Sequence, residues 1–133
     1  MSSLIDVAPS AEGLPLARTL AARIRENVRA GRTRAHFDRL RGSVGIVAVD
    51  AGEALTLRFD FGRLVVHGGI VGVPDVTLRG PLAVLGALGE RGRPTLLDLF
   101  RPNDRSPAAG LTVYGLATHP LLVRSLFAIL RSV

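Results

Sequence analysis

The sequence has no cysteine and no lysine, and only 5% of its 133 residues are aromatic. The absence of cysteine excludes disulfides, thiolate nucleophiles and cysteine-based zinc sites. The absence of lysine excludes Schiff-base chemistry and the lysine of a phosphate-binding loop. The few aromatic side chains, with no recognition motif beside them, argue against nucleic acid as a partner.

Long apolar runs are also absent. A membrane-spanning helix needs roughly 18 or more consecutive apolar residues, and the closest candidate, residues 64–73, is interrupted by His67 and three glycines. The N-terminal residues lack a basic region followed by an apolar stretch, which predicts no signal peptide and a cytoplasmic location.

Catalytic and metal-binding patterns are missing as well. His36, His67 and His119 are far apart in the sequence, and none of them belongs to a closely spaced histidine pair of the kind that holds a metal ion. We therefore predict no catalytic residue, no metal site, no cofactor and no enzyme activity.

Positive charge is concentrated in one segment. Residues 14–41 contain eight arginines and two acidic residues, which equals the whole net charge of +6. The simplest interpretation is a solvated helix face, but an anionic membrane surface would also attract such a segment. The candidate membrane-surface residues are Arg18, Arg25, Arg29 and Arg32.

Periodicity predicts one helix, four strands, two short helices, one strand and a last helix. Apolar residues recur every four positions in the first helix, and residues 54–61 alternate in the manner of a half-buried strand. Residues 1–13 are predicted to be a flexible tail, and residues 14–133 a single α+β domain with a five-stranded, mostly antiparallel sheet. The predicted segments are 14–30, 43–50, 54–61, 63–70, 75–79, 82–88, 94–100, 111–116 and 119–131.

The later helices carry more apolar surface than a small domain usually needs. Apolar residues make up 47% of the chain, mean hydropathy is +0.33, and the last helix is apolar around most of its circumference. Such a helix must be buried on several sides. Its residues can fill an ordinary core, surround a cavity that a ligand fills, or dock onto a partner.

The segment Pro74–Leu88 resembles the central signature of the sterol carrier protein 2 family, in which a strand of the form aspartate–apolar–threonine–apolar leads into a leucine-bearing helix. Gly110–Gly115 is similar to a later strand of that family, and the order of elements agrees over residues 14–133. The basic first helix, the segment Leu96–Phe100 and the apolar last helix most resemble bacterial single-domain members, which include lipid-binding accessory proteins of ubiquinone biosynthesis.

This resemblance implies a sheet covered by helices, with an apolar tunnel between them that holds a fatty acyl, sterol-like or isoprenoid lipid. It also implies a carrier that presents the lipid to enzymes or membranes without catalysis. The alternative is a protein-interaction or dimerisation module of the same fold without a cavity. The helix faces give these candidate ligand-binding residues: Leu82, Leu85, Leu88, Leu97, Phe100, Val113, Leu122, Leu126, Phe127, Ile129 and Leu130.

Overall fold

A computed structural model describes residues 5–31, 34–88, 111–115 and 118–130 of the chain. Within these ranges the structure has six strands, four α-helices and one 3₁₀ turn at Pro9–Ala11. The strands are β1 (Ile5–Val7), β2 (Arg41–Ala48), β3 (Glu53–Asp60), β4 (Leu64–Gly68), β5 (Val76–Gly80) and β6 (Thr112–Tyr114). The helices are α1 (Pro15–Arg29), α2 (Arg34–Arg39), α3 (Leu82–Gly86) and α4 (Pro120–Leu130).

The strands form one mixed sheet in the order β1-β4-β3-β2-β5-β6. The pairs β2/β3, β3/β4 and β5/β6 are antiparallel, whereas β1/β4 and β2/β5 are parallel. The α+β class is confirmed, but the sheet has six strands where the sequence predicts five. β5 is parallel to β2 because the segment 69–75 crosses the sheet after β4. This segment returns the chain to the first residues of β2, where the Asp75 N–H donates to the Ser43 carbonyl.

The prediction of a loose tail is wrong for residues 5–11. Ile5 pairs with Leu64 in a short parallel ladder, and Ile5 and Ala11 are buried. The Ser10 hydroxyl accepts a hydrogen bond from the Gly68 N–H at 3.0 Å. This segment is held because it covers the β4 side of the sheet, where it completes backbone pairing and removes apolar surface from water.

The core lies between one face of the sheet and the helices. Alternate residues of β3, namely Leu55, Leu57 and Phe59, point to this face, as the period-two pattern predicts. From α2, Phe37 packs edge-to-face on Phe59, with 6.4 Å between ring centroids. Full burial of each such side chain stabilises the fold by about 1.5–3 kcal/mol, so the core sets the position of every helix above the sheet.

Candidate functional site

Helix α4 is apolar except for Arg124 and Ser125, and it is buried on several sides. Leu122, Val123, Leu126, Ile129 and Leu130 all lie in the continuous apolar core. The helix contacts both α1 and α2. Leu121 is the exception, since 72% of its surface is exposed. The surplus apolar surface of the last helix is therefore mostly covered within the chain.

Two polar side chains of α1 hold the ends of the neighbouring helices. Asn27 is buried, and its side-chain amide donates a hydrogen bond of 2.7 Å to the carbonyl of Ile129 in the last turn of α4. The guanidinium of Arg23 donates to the carbonyl of Leu88, just after α3. The two bonds link α1 to the last turn of α4 and to the chain just after α3.

The structure divides the predicted ligand-binding residues into three groups. Leu82, Val113 and Phe127 are partly buried and pack against the core from α3, β6 and α4. Leu97 and Phe100 lie outside the described residues. The remaining six are core residues with 7% exposure or less, so in this structure protein atoms surround them: Leu85, Leu88, Leu122, Leu126, Ile129 and Leu130.

Three open clefts are formed by described residues. The α1 cleft, about 790 Å³, lies beside β1 and contains Arg18, Arg25 and Glu12. The outer-sheet cleft, about 450 Å³, lies under the segment 69–75 on the sheet face opposite the helices, and its arginines are accompanied by Asp60 and Asp75. Both clefts therefore contain charges of both signs.

The third cleft, the α2–α4 groove, has a different composition. Its volume is about 710 Å³, and the described residues that line it include no acidic one. Three arginines and two histidines surround a partly apolar floor that includes Leu40 and Leu122. The lining residues are Ala35, His36, Arg39, Leu40, Arg41, Thr118, His119, Pro120, Leu121, Leu122, Arg124 and Ser125.

Sequence reasoning did not predict this groove. His36 and His119 are far apart in the sequence, and the arginines predicted to face a membrane are those on or after α1, not those of the groove. Five of its twelve lining residues do lie in the basic segment 14–41, which is a local signal. The other seven lie in residues 118–125, about 80 positions later, and only the packing of α2 against α4 brings the two segments together.

The predicted membrane-surface arginines lie on or after α1. Arg18 and Arg29 are exposed, and Arg32 lies outside the described residues. Arg25 is also exposed, but its guanidinium donates a hydrogen bond of 3.2 Å to the carbonyl of Ile5, so it helps to hold β1. In the described part of the chain, no helix is long and apolar enough to cross a membrane.

Comparison with solved structures identifies the fold. A structure of the UbiJ-SCP2 ubiquinone synthesis protein aligns with a TM-score of 0.57 and 21% identity over 85% of this chain and 92% of that one. A crystal structure of sterol carrier protein 2 aligns with a TM-score of 0.55 and 18% identity over 89% and 95%. The chain has the sterol carrier protein 2 fold.

The apo form of sterol carrier protein 2 from Yarrowia lipolytica has the same fold, with a TM-score of 0.52 and 11% identity over 95% of this chain and 97% of that one. No protein-family model and no curated protein matches the sequence. The assignment of the sterol carrier protein 2 fold thus depends on structural similarity. This similarity confirms the fold that the resemblance of Pro74–Leu88 and Gly110–Gly115 implies.

Proposed function

We propose that the chain is a non-catalytic lipid carrier that encloses an apolar chain between its sheet and the helices α3 and α4. The observation that carries the proposal is the set of partly buried apolar side chains, Leu82, Val113 and Phe127, which three separate elements place against one core. A hydrocarbon tail would gain from burial there as a side chain does. The fold shared with sterol carrier protein 2 supports the same function.

The ligand is proposed to be a fatty acyl, sterol-like or isoprenoid lipid. The structural likeness to a ubiquinone synthesis protein favours the isoprenoid class. Leu82, Val113 and Phe127 would meet the tail first, because the other described members of the predicted set are already surrounded by protein. We further propose a cytoplasmic carrier that passes its lipid to an enzyme or a membrane, with the exposed arginines of α1 attracting an anionic membrane surface over some distance.

A direct test is native mass spectrometry of the purified protein, followed by organic extraction and by titration with a fluorescent fatty acid. We expect a co-purifying lipid or saturable uptake of the probe. Phe127→Asp should abolish uptake, because it places a carboxylate against the tail. The matched control is Leu121→Asp, which adds the same charge to the same helix at an exposed position and should bind the probe normally.

A second variant separates loss of the site from loss of the fold. Val113→Phe fills space at a partly buried strand position where an aromatic residue is well tolerated. It should remain folded by circular dichroism and take up less probe. The carrier function would be refuted if the protein carried no lipid and took up no fluorescent fatty acid. It would also be refuted if uptake were unchanged in both Phe127→Asp and Val113→Phe.

The competing function is a protein-interaction module without a cavity. It predicts a homodimer or a stable complex formed through α4. The structure leaves this helix little free apolar surface, because Leu121 is its one largely exposed large apolar side chain among the described residues. A dimer that Leu121→Asp dissociates, in a protein that retains no lipid, would favour the interaction module.

A further inference from the structure

We propose that the α2–α4 groove and two apolar side chains beside it form a docking surface for an anionic phospholipid membrane. Stable attachment to such a surface needs positive charge close to the lipid phosphates and apolar side chains that insert among the lipids. The proposal rests on the carrier function and names the surface that would contact the membrane, but attachment and lipid uptake are measured separately. Either can fail while the other holds.

Charge singles out this groove among the three clefts. Arg39, Arg41 and Arg124 line it, and none of the described residues that line it is acidic. Arg41 also lines the outer-sheet cleft, and it is paired with Asp60 across the β2/β3 ladder. Two other acidic residues of neighbouring segments have partners of their own. Asp38 forms a salt bridge of 3.0 Å with Arg34, and Asp75 accepts a hydrogen bond of 3.0 Å from the backbone N–H of Ser43. Among the described residues, the positive charge that distinguishes the groove is therefore that of Arg39 and Arg124.

Two exposed apolar side chains adjoin these arginines. Leu121 belongs to the groove and is 72% exposed. Phe61, at the tip of the β3–β4 hairpin, is 61% exposed, and the guanidinium of Arg41 lies 5.8 Å from its ring centroid. Its backbone N–H donates to the carbonyl of Leu40, which ties the hairpin tip to the groove. By contrast, none of the exposed large apolar residues of the described chain lies on α1.

The backbone of Phe61 gives an independent argument. Its φ is +44°, the only positive value at a non-glycine residue in the described chain. Two-residue hairpin turns with this geometry favour Asn, Asp or Gly, and a bulky side chain there is strained. A sequence that keeps a strained, exposed phenylalanine beside an arginine gives up stability for something other than folding. Insertion into a lipid surface accounts for that cost.

Vesicle flotation tests the proposal with phosphatidylcholine vesicles, with and without phosphatidylglycerol. The wild-type chain should bind only the anionic vesicles, and binding should weaken as salt rises. Arg39→Ala and Arg124→Ala should each reduce affinity about fivefold, as one arginine near the lipid is expected to contribute. Leu121→Ser and Phe61→Asn should each reduce it about tenfold, because each removes one inserting side chain.

Stability provides the readout that separates docking from a structural role. Phe61→Asn relieves the turn, so its melting temperature should equal or exceed that of the wild type while vesicle binding falls. The matched controls are Arg79→Ala, an exposed arginine on the outer face of the sheet, and Val73→Ser, an exposed apolar residue of the segment 69–75. Each control should change vesicle binding less than twofold.

Four outcomes would overturn the proposal. The first is failure to bind anionic vesicles, or equal binding to neutral ones. The second is a control variant that loses as much affinity as the groove variants. The third is a double variant of α1, Arg18→Ala with Arg29→Ala, that loses more affinity than Arg39→Ala with Arg124→Ala. The fourth is a wild-type dimer that Leu121→Ser dissociates, because a second copy of the chain would then occupy the groove.

Discussion

The buried side chain of Asn27 offers the sharpest test of how the helices are held over the sheet. Asn27 lies on α1 and only 4% of its surface is exposed. Its side-chain amide donates a hydrogen bond of 2.7 Å to the carbonyl of Ile129, which is 102 residues later in the sequence. Asn27→Ala removes the donor of this buried hydrogen bond, which costs about 0.5–1.5 kcal/mol. For a chain of this length the melting temperature should fall by about 4 °C for each kcal/mol.

The assay is thermal and urea unfolding followed by circular dichroism. Thr19→Ala is the control, because it removes an exposed hydroxyl whose hydrogen bond, among the described residues, is to the Pro15 carbonyl of its own helix. It should change the free energy of unfolding by less than about 0.5 kcal/mol. Equal effects of Asn27→Ala and Thr19→Ala would refute the role of Asn27 as a link between α1 and α4.

A second substitution at the same position adds a pH dependence of known sign. In Asn27→Asp, burial beside a carbonyl oxygen raises the pKa of the new carboxyl above its unfolded value. The folded state therefore favours the neutral acid, which can donate to Ile129. The destabilisation should be full at neutral pH and should shrink, relative to the wild type, as the pH falls through the raised pKa towards the unfolded one. A difference that does not change with pH would contradict this geometry.

Two further predictions concern packing. Leu126→Ala should destabilise the protein by about 2–5 kcal/mol because it leaves a cavity in the core. Leu121 is exposed, so the free energy of unfolding of Leu121→Ala should stay within about 0.5 kcal/mol of the wild-type value. Urea unfolding measures both variants, and equal losses would contradict the buried position of α4. Gly68→Ala should cost about 1–3 kcal/mol, since an added Cβ would lie 2.1 Å from the Ser10 carbonyl oxygen. A Cβ at Gly86 would meet no atom of the described residues within 4 Å, so Gly86→Ala should not destabilise the protein. A similar loss in both variants would exclude a specific clash at Gly68.

Helix and strand positions follow from the sequence wherever the pattern depends on near neighbours. The prediction of a helix at 14–30 agrees with Pro15–Arg29, and the alternation at 54–61 agrees with Glu53–Asp60 within one residue. Each of these elements buries one face. Side chains on that face recur every two residues in a strand and every three to four residues in a helix, so the sequence shows the pattern directly. The signature over Pro74–Leu88 likewise led to the right fold.

Pairings between distant segments could not be predicted in this way. The strand Ile5–Val7 is too short to show a period, and only its ladder to β4 makes it a strand. Part of the candidate site also lies beyond local patterns, because helical spacing cannot tell Leu126, which is fully buried, from Phe127, which keeps some free surface. Which side chain faces a core and which faces open space depends on the neighbouring elements.

The sequence by itself determined the α+β class, the positions of the main elements and the concentration of positive charge in residues 14–41, because each is a property of residues close together in the chain. Only the tertiary structure decided that α2 and α4 form a groove whose described lining has no acidic residue. It also decided that Leu121 lies in this groove, that Phe61 lies beside it, and that Asn27 reaches the last turn of α4. These features depend on how helices far apart in sequence pack over the sheet, and the free energy of that packing belongs to the whole core and not to any one segment.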